Sequence, residues 1–174
     1  MTVSQKAEQI AVVILDVDGV LTDGRIGYSG ASGGEIKFFD VKDGLGIKLL
    51  QRNGIRVGIL SGRKSRANEV RAVELGLDFV YQGVGDKRAG LETLLAEQGT
   101  RAENCLYVGD DLVDLPVMRR VGMAVAVADA PDEVKARADM VTTAAGGRGA
   151  VRETAVWLLT QRGAWQTVVA GYLE

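Results

Sequence analysis

Strand-like, mostly apolar runs recur at 11–15, 56–60, 79–81, 106–108, 124–127 and 140–142, and within the first of them 12–15 shows no polar alternation. Runs of that length predict strands of a parallel sheet buried on both faces. Between them the apolar positions recur at helical spacing. Leu45, Lys48, Leu49 and Arg52 begin one helix, which Asn53-Gly54 ends, and 66–75, 89–98, 115–121, 133–138 and 151–161 supply the others. Strand and helix in alternation imply right-handed crossovers and a mainly parallel α/β sheet with helices on both faces. Residues 24–39 break the pattern. They are rich in glycine, with 25–28 and 35–39 flanking 29–34, and predict a β-hairpin. Such a hairpin is either a surface loop or a flap, and its start directly after an acidic turn favours the flap.

A length of 174 residues suits one domain over 1–174, with no linker or repeat to divide it and a tail at 164–174. The formal charge is -2 with Lys and Arg dispersed, so neither nucleic acid nor an anionic membrane is an expected partner. The first nine residues are polar and the apolar run after them is too short to span a bilayer, which makes the cytoplasm the expected location. Cys105, the only cysteine, reads as a small core residue. Histidine is absent altogether, which excludes Ser-His-Asp and Cys-His catalysis and a His-ligated zinc. Chemistry must come from carboxylates, lysine, hydroxyls, backbone amides and a hard metal.

Four of the expected strands end in such groups. The first runs into Asp16-Val17-Asp18-Gly19. Asp18-Gly19 alone is an ordinary turn, but a carboxylate at Asp16, at the edge of a buried strand, needs a cation or donors beside it. Ser61-Gly62 closes the second strand and can present a hydroxyl and backbone N–H groups to an oxyanion, or simply cap a helix. Lys87 opens the helix after the third strand, against the preference of a helix start for acidic residues, so it calls for an anionic neighbour unless it is a solvated surface lysine. Asp110, Asp111 and Asp114 follow the fourth strand, and three carboxylates so close together repel one another without a cation among them. Magnesium, a small hard ion that takes one or two carboxylates, fits that need.

In this order, along one sheet edge, the four motifs resemble those of the haloacid dehalogenase superfamily of phosphohydrolases, over nearly the whole chain. The resemblance implies a Rossmannoid three-layer sandwich and a phosphatase. It makes Asp16 the nucleophile that becomes an aspartyl phosphate, Asp18 the acid and base, and Ser61 and Lys87 the holders of the phosphoryl oxygens. Mg2+ would bind the Asp16 and Asp110 carboxylates and the Asp18 backbone carbonyl, and Asp111 or Asp114 would orient Lys87. The hairpin and one helix already fill the stretch from Asp16 to Ser61, and one helix and one strand fill that from Ser61 to Lys87. No room remains for a cap domain.

Within the superfamily, Asp16 to Gly24, Asp40-Val41-Lys42-Asp43-Gly44-Leu45-Gly46, Leu60 to Arg63, Gly109 to Pro116, Ala126 to Pro131 and Gly146 to Ala150 most resemble the 3-deoxy-D-manno-octulosonate 8-phosphate phosphatases. That family implies a homotetramer of lipopolysaccharide sugar synthesis, assembled through its hairpins, with the tail of one subunit able to reach a neighbour's site. Residues 165–173 are apolar enough for such a tail or for packing on their own domain. The family's sugar-acid contacts fall on Phe39, Asp40, Val41, Lys42, Asp43, Gly62, Arg63 and Arg71, with Asp18, Lys87 and Asp114 beside the phosphoryl group. Lys42 stands where the family often has Arg, and Glu69-Val70-Arg71 where it commonly shows an arginine cluster. The competing expectations are a phosphatase for nine-carbon sugar-acid 9-phosphates, which Arg63 after Ser-Gly argues against, a phospho-receiver, and a non-catalytic assembly subunit. A receiver's acidic pair precedes its phosphoacceptor, whereas here the acidic cluster follows Asp16.

Overall fold

The computed structural model describes residues 2–30 and 33–173; residues 31 and 32 of the expected hairpin and the outermost residues of the expected domain and tail lie outside the described residues. Among the described residues, β1 (Val12–Leu15), β4 (Arg56–Leu60), β5 (Phe79–Tyr81), β6 (Cys105–Gly109), β7 (Met123–Ala126) and β8 (Met140–Val141) form one parallel sheet in the order β5-β4-β1-β6-β7-β8. The strand β1 is central, and each of its four residues is fully buried. Burying a side chain of this kind stabilises the fold by roughly 1.5–3 kcal/mol. The antiparallel pair β2 (Gly27–Ser29) and β3 (Gly34–Ile36) makes the expected hairpin apart from the sheet.

The helices start and stop where local chemistry dictates. Asp40 accepts the Lys42 N–H at 2.8 Å and so caps α2 (Val41–Arg52), which ends at Asn53 before Gly54 in the left-handed region. Asp86 accepts the N–H groups of Arg88 and Ala89 and caps α4 (Lys87–Glu97). Two helices lie outside the sequence expectation. Thr2 and Gln5 form a capping box that starts α1 (Val3–Gln9), whose single buried residue, Ala7, leaves too faint a periodicity to read. The expected tail is mostly α8 (Trp165–Ala170), which packs against α7 (Ala150–Gln161).

The chain runs outward from β1 through α2 and α3 (Arg66–Leu75), then back across the sheet through α4, and parallel crossovers are right-handed almost without exception. Accordingly α2 packs with α7 on one face, and α4 packs with α5 (Leu115–Met118) on the other. The reversal sets the carboxyl ends of β4 and β6 on either side of β1, with Leu15 level with Ile59 and with Val108. Open α/β sheets bind their ligands at such a switch point.

Candidate active site

Asp16 leaves β1 with its N–H donated to the Val108 carbonyl at 3.1 Å, so its position is set by the neighbouring strand. The chain then turns around the Val17 carbonyl, which accepts the N–H groups of Val20, Leu21 and Thr22. Thr22 Oγ1 is the hub of this turn, accepting from the N–H groups of Gly19 and Gly24. Gly19 has a φ of +93°, and a Cβ there would overlap the Asp110 carboxylate. The Gly146-Gly147 loop clamps the turn from behind. The Gly147 N–H donates to the Val20 carbonyl at 2.8 Å, and Gly146 lies so close to the Gly19 carbonyl that no side chain fits between them.

Asp16 is 6% exposed, and its partner is Lys87, whose ammonium lies 2.9 Å from Asp16 Oδ1. The same ammonium lies 2.6 Å from Asp114 Oδ1 and donates to the Tyr107 hydroxyl at 3.2 Å. That hydroxyl in turn donates to Asp114 Oδ1 at 2.6 Å. The second oxygen of Asp114 accepts the N–H groups of Asp110 and Asp111, at 2.9 and 3.1 Å. Asp114 therefore orients Lys87, whereas Asp111 is spent on the local Leu112 N–H.

The acidic groups respond to this crowding. Burial pushes Asp16 up to about 6 even though Lys87 pulls it back. Burial, reinforced by the charges of Asp16 and Asp114, pushes Asp110 up to about 8. Burial alone would lower the Lys87 ammonium, but the two aspartates outweigh it and raise it above its ordinary value.

Oxygens of Asp16, Asp110 and Asp114 lie within 4.8 Å of one another. Because Asp114 already accepts four hydrogen bonds, Asp16 and Asp110 are the carboxylates left to hold a metal. Asp110 makes no ion pair among the described residues, and an all-oxygen donor set with excess negative charge suits a hard divalent cation. The Asp18 carboxylate is turned elsewhere, toward Lys37 at 2.6 Å and Arg63 at 3.5 Å, which leaves its backbone carbonyl as its expected ligand atom.

Ser61 is buried at the end of β4, its N–H donated to the Tyr81 carbonyl and its own carbonyl accepting from Val84, which leaves the hydroxyl for other use. Gly62 beside it is open to close approach. A groove of about 700 Å³ runs between the hairpin stem and the first turn of α2, lined by Asp23, Arg25, Phe38, Phe39, Asp40 and Val41 among others. Val41 is exposed there, and the Lys42 side chain reaches solvent.

Several of the expected sugar-acid contacts already have protein partners: Asp40 caps α2, and Arg63 pairs with Asp18 and Glu35. Asp43 is 1% exposed and accepts the N–H groups of Gly149 and Arg152, at 3.2 and 2.8 Å, fastening α2 to the start of α7. Arg71 pairs with Glu74, donates to the Asp40 carbonyl and lies over the Phe39 ring, so it supports the groove wall from beneath. Conversely, Tyr107, Lys37 and Glu35 join the site without having been singled out in the sequence. Tyr107 was hidden inside an apolar strand run, and the other two looked like alternating polar positions of a hairpin.

The family model matching residues 77–152 is that of haloacid dehalogenase-like hydrolases, the class that this sheet edge and its aspartates define. The 3-deoxy-D-manno-octulosonate 8-phosphate phosphatase of Escherichia coli is 50% identical over 161 residues, 92% of this chain and 85% of the relative. This chain belongs to the family of 3-deoxy-D-manno-octulosonate 8-phosphate phosphatases. The Moraxella catarrhalis enzyme of that name, solved with a magnesium ion, a phosphate ion and the octulosonate, superimposes with a TM-score of 0.93 at 38% identity, covering 97% of each chain. The cobalt-bound phosphatase of Haemophilus influenzae superimposes with a TM-score of 0.92 at 43% identity, covering 98% of this chain and all of the other.

Proposed function

We propose that the chain is a magnesium-dependent phosphatase that hydrolyses 3-deoxy-D-manno-octulosonate 8-phosphate to the free sugar acid and phosphate. One observation carries this reading. Asp16 stands buried at a strand end with its carboxylate against a lysine that Asp114 and Tyr107 hold in place.

In the first step a carboxylate oxygen of Asp16 attacks phosphorus while the bond to the sugar oxygen breaks, leaving an aspartyl phosphate. Asp18 gives its proton to the departing oxygen. Asp18 then takes a proton from the water that attacks the aspartyl phosphate, so both carboxyl groups return to their starting state. Lys87, the Ser61 hydroxyl and the Gly62 N–H receive the phosphoryl oxygens, and such preorganised donors supply most of the stabilisation in phosphoryl transfer. The Asp16 and Asp110 carboxylates and the Asp18 carbonyl would hold magnesium, which would supply positive charge to offset that of the phosphoryl oxygens.

The sugar acid takes the rim formed by Phe39, Asp40, Val41, Lys42 and Arg63, where a guanidinium and an ammonium suit its carboxylate. The hairpin exposes Tyr28 and Ile36, with Phe38 just beyond it, and this apolar surface supports assembly into a homotetramer through the hairpins. Among the described residues no helix is long and apolar enough to cross a membrane. A cytoplasmic step of lipopolysaccharide precursor synthesis is the setting we propose.

Steady-state comparison of eight- and nine-carbon sugar-acid phosphates tests the substrate, with preference for the octulosonate expected and preference for a nine-carbon substrate overturning it. Asp16→Asn should abolish phosphate release, and undiminished turnover in that variant would remove Asp16 from its role.

A further inference from the structure

Lys37 directly follows β3, at the foot of the hairpin, and its side chain has no exposed surface. A buried ammonium is costly and is retained where a partner compensates for the lost water. Its partner is Asp18, with Nζ 2.6 Å from Oδ1, while Glu35 Oε2 lies 4.0 Å away. Arg63 comes from the end of β4 and reaches the other Asp18 oxygen at 3.5 Å and Glu35 Oε1 at 3.4 Å. The Asp18 carboxylate is thus bracketed by two cations, one on each oxygen, and Glu35 spans both cations from the hairpin strand. The Arg63 side chain is 46% exposed, whereas Lys37 is enclosed.

We propose that Lys37 is a positioning residue, holding the Asp18 carboxyl group in the orientation from which it meets the oxygen of the leaving alcohol. The stem of the hairpin then belongs to the acid half of the site. This inference rests on the reading of Asp18 as the group that protonates the leaving alcohol. As the Asp16 oxygen bonds to phosphorus and the ester P–O bond breaks, the proton passes to the ester oxygen from Asp18 Oδ2, the oxygen that accepts no hydrogen bond from Lys37 or Arg63. A sugar alkoxide needs that proton; p-nitrophenolate leaves without it.

The test compares kcat/KM, which reports the steps up to loss of the leaving group, for the octulosonate phosphate and p-nitrophenyl phosphate in wild type, Lys37→Met and Lys37→Gln, with thermal melts of each. Both variants leave Asp18 its Arg63 partner, and the glutamine form decides should the methionine form not fold. The expected result is a fall on the order of 10²-fold for the sugar phosphate, against less than about threefold for the aryl phosphate. An equal fall on both substrates makes Lys37 a merely structural residue, and no fall on either makes it dispensable; each outcome overturns the inference. Asp18→Asn separates the two levels. If it discriminates between the substrates and the Lys37 variants do not, only the positioning role is lost; if it fails to discriminate, the acid role of Asp18 falls and this inference with it.

Discussion

Lys87 and Asp114 are joined across the sheet edge at 2.6 Å, both shielded from solvent, and the far oxygen of Asp114 accepts the backbone N–H groups of Asp110 and Asp111. One carboxylate therefore sets both the lysine that faces Asp16 and the loop that carries Asp110. Removing its charge should disturb the two together. Asp114→Asn is expected to lower kcat/KM by about 10²-fold or more and to cost about 3–5 kcal/mol, because it leaves the buried ammonium with one fewer counter-charge. Kinetics and denaturant unfolding check this, and a variant with wild-type stability would show that Lys87 is held by other means.

Tyr107 donates to Asp114 and accepts from Lys87 with its hydroxyl wholly inside the protein. Tyr107→Phe should cost about 1–3 kcal/mol of stability by leaving these partners short of a hydrogen bond. The ion pairs of Lys87 survive the change, so activity should fall by less than about tenfold. A larger loss of kcat with unaltered stability would give the hydroxyl a direct part in the chemistry.

The two raised carboxyl groups make stability depend on pH and on metal. Asp16 rises from 3.8 to about 6 and Asp110 from 3.8 to about 8, so the folded protein without metal keeps protons that the unfolded chain releases. Their contribution is fully present below about pH 4 and is lost as pH rises through 6 and then 8. A bound divalent cation removes the need for those protons. In chelator, Tm should therefore decline between pH 5 and 8, and the rise in Tm on adding magnesium should grow over the same range. Equal magnesium shifts at both ends of that range would contradict the assignment.

Asp43 lies in a sequence segment associated with substrate contact, yet its carboxylate joins α2 to α7. Asp43→Ala should accordingly lower stability by about 1–3 kcal/mol while changing KM by less than about twofold. A large rise in KM with unchanged Tm would return Asp43 to the substrate rim.

Much of this architecture was legible in hydrophobic spacing. The strands Arg56–Leu60 and Phe79–Tyr81 fall where their runs predict: β4, between β1 and β5, is buried from Val57 to Leu60, while β5 at the sheet edge buries Phe79 and exposes Val80. The remaining strand limits move by a residue or two, as with β7, which begins at Met123 rather than 124. The short helix α1 escaped notice because one buried alanine does not make a periodicity.

By itself the sequence determined which strands end in Asp16, Ser61 and Asp110, and that Lys87 opens a helix, since local turn and cap chemistry places such groups at element ends. It could not choose between Asp111 and Asp114, or show that Asp43 faces a helix, or that Lys37 grips Asp18. Those outcomes depend on which way a side chain points once distant elements have packed, and only the crossover of the sheet brings α4, β6 and the hairpin stem together around β1.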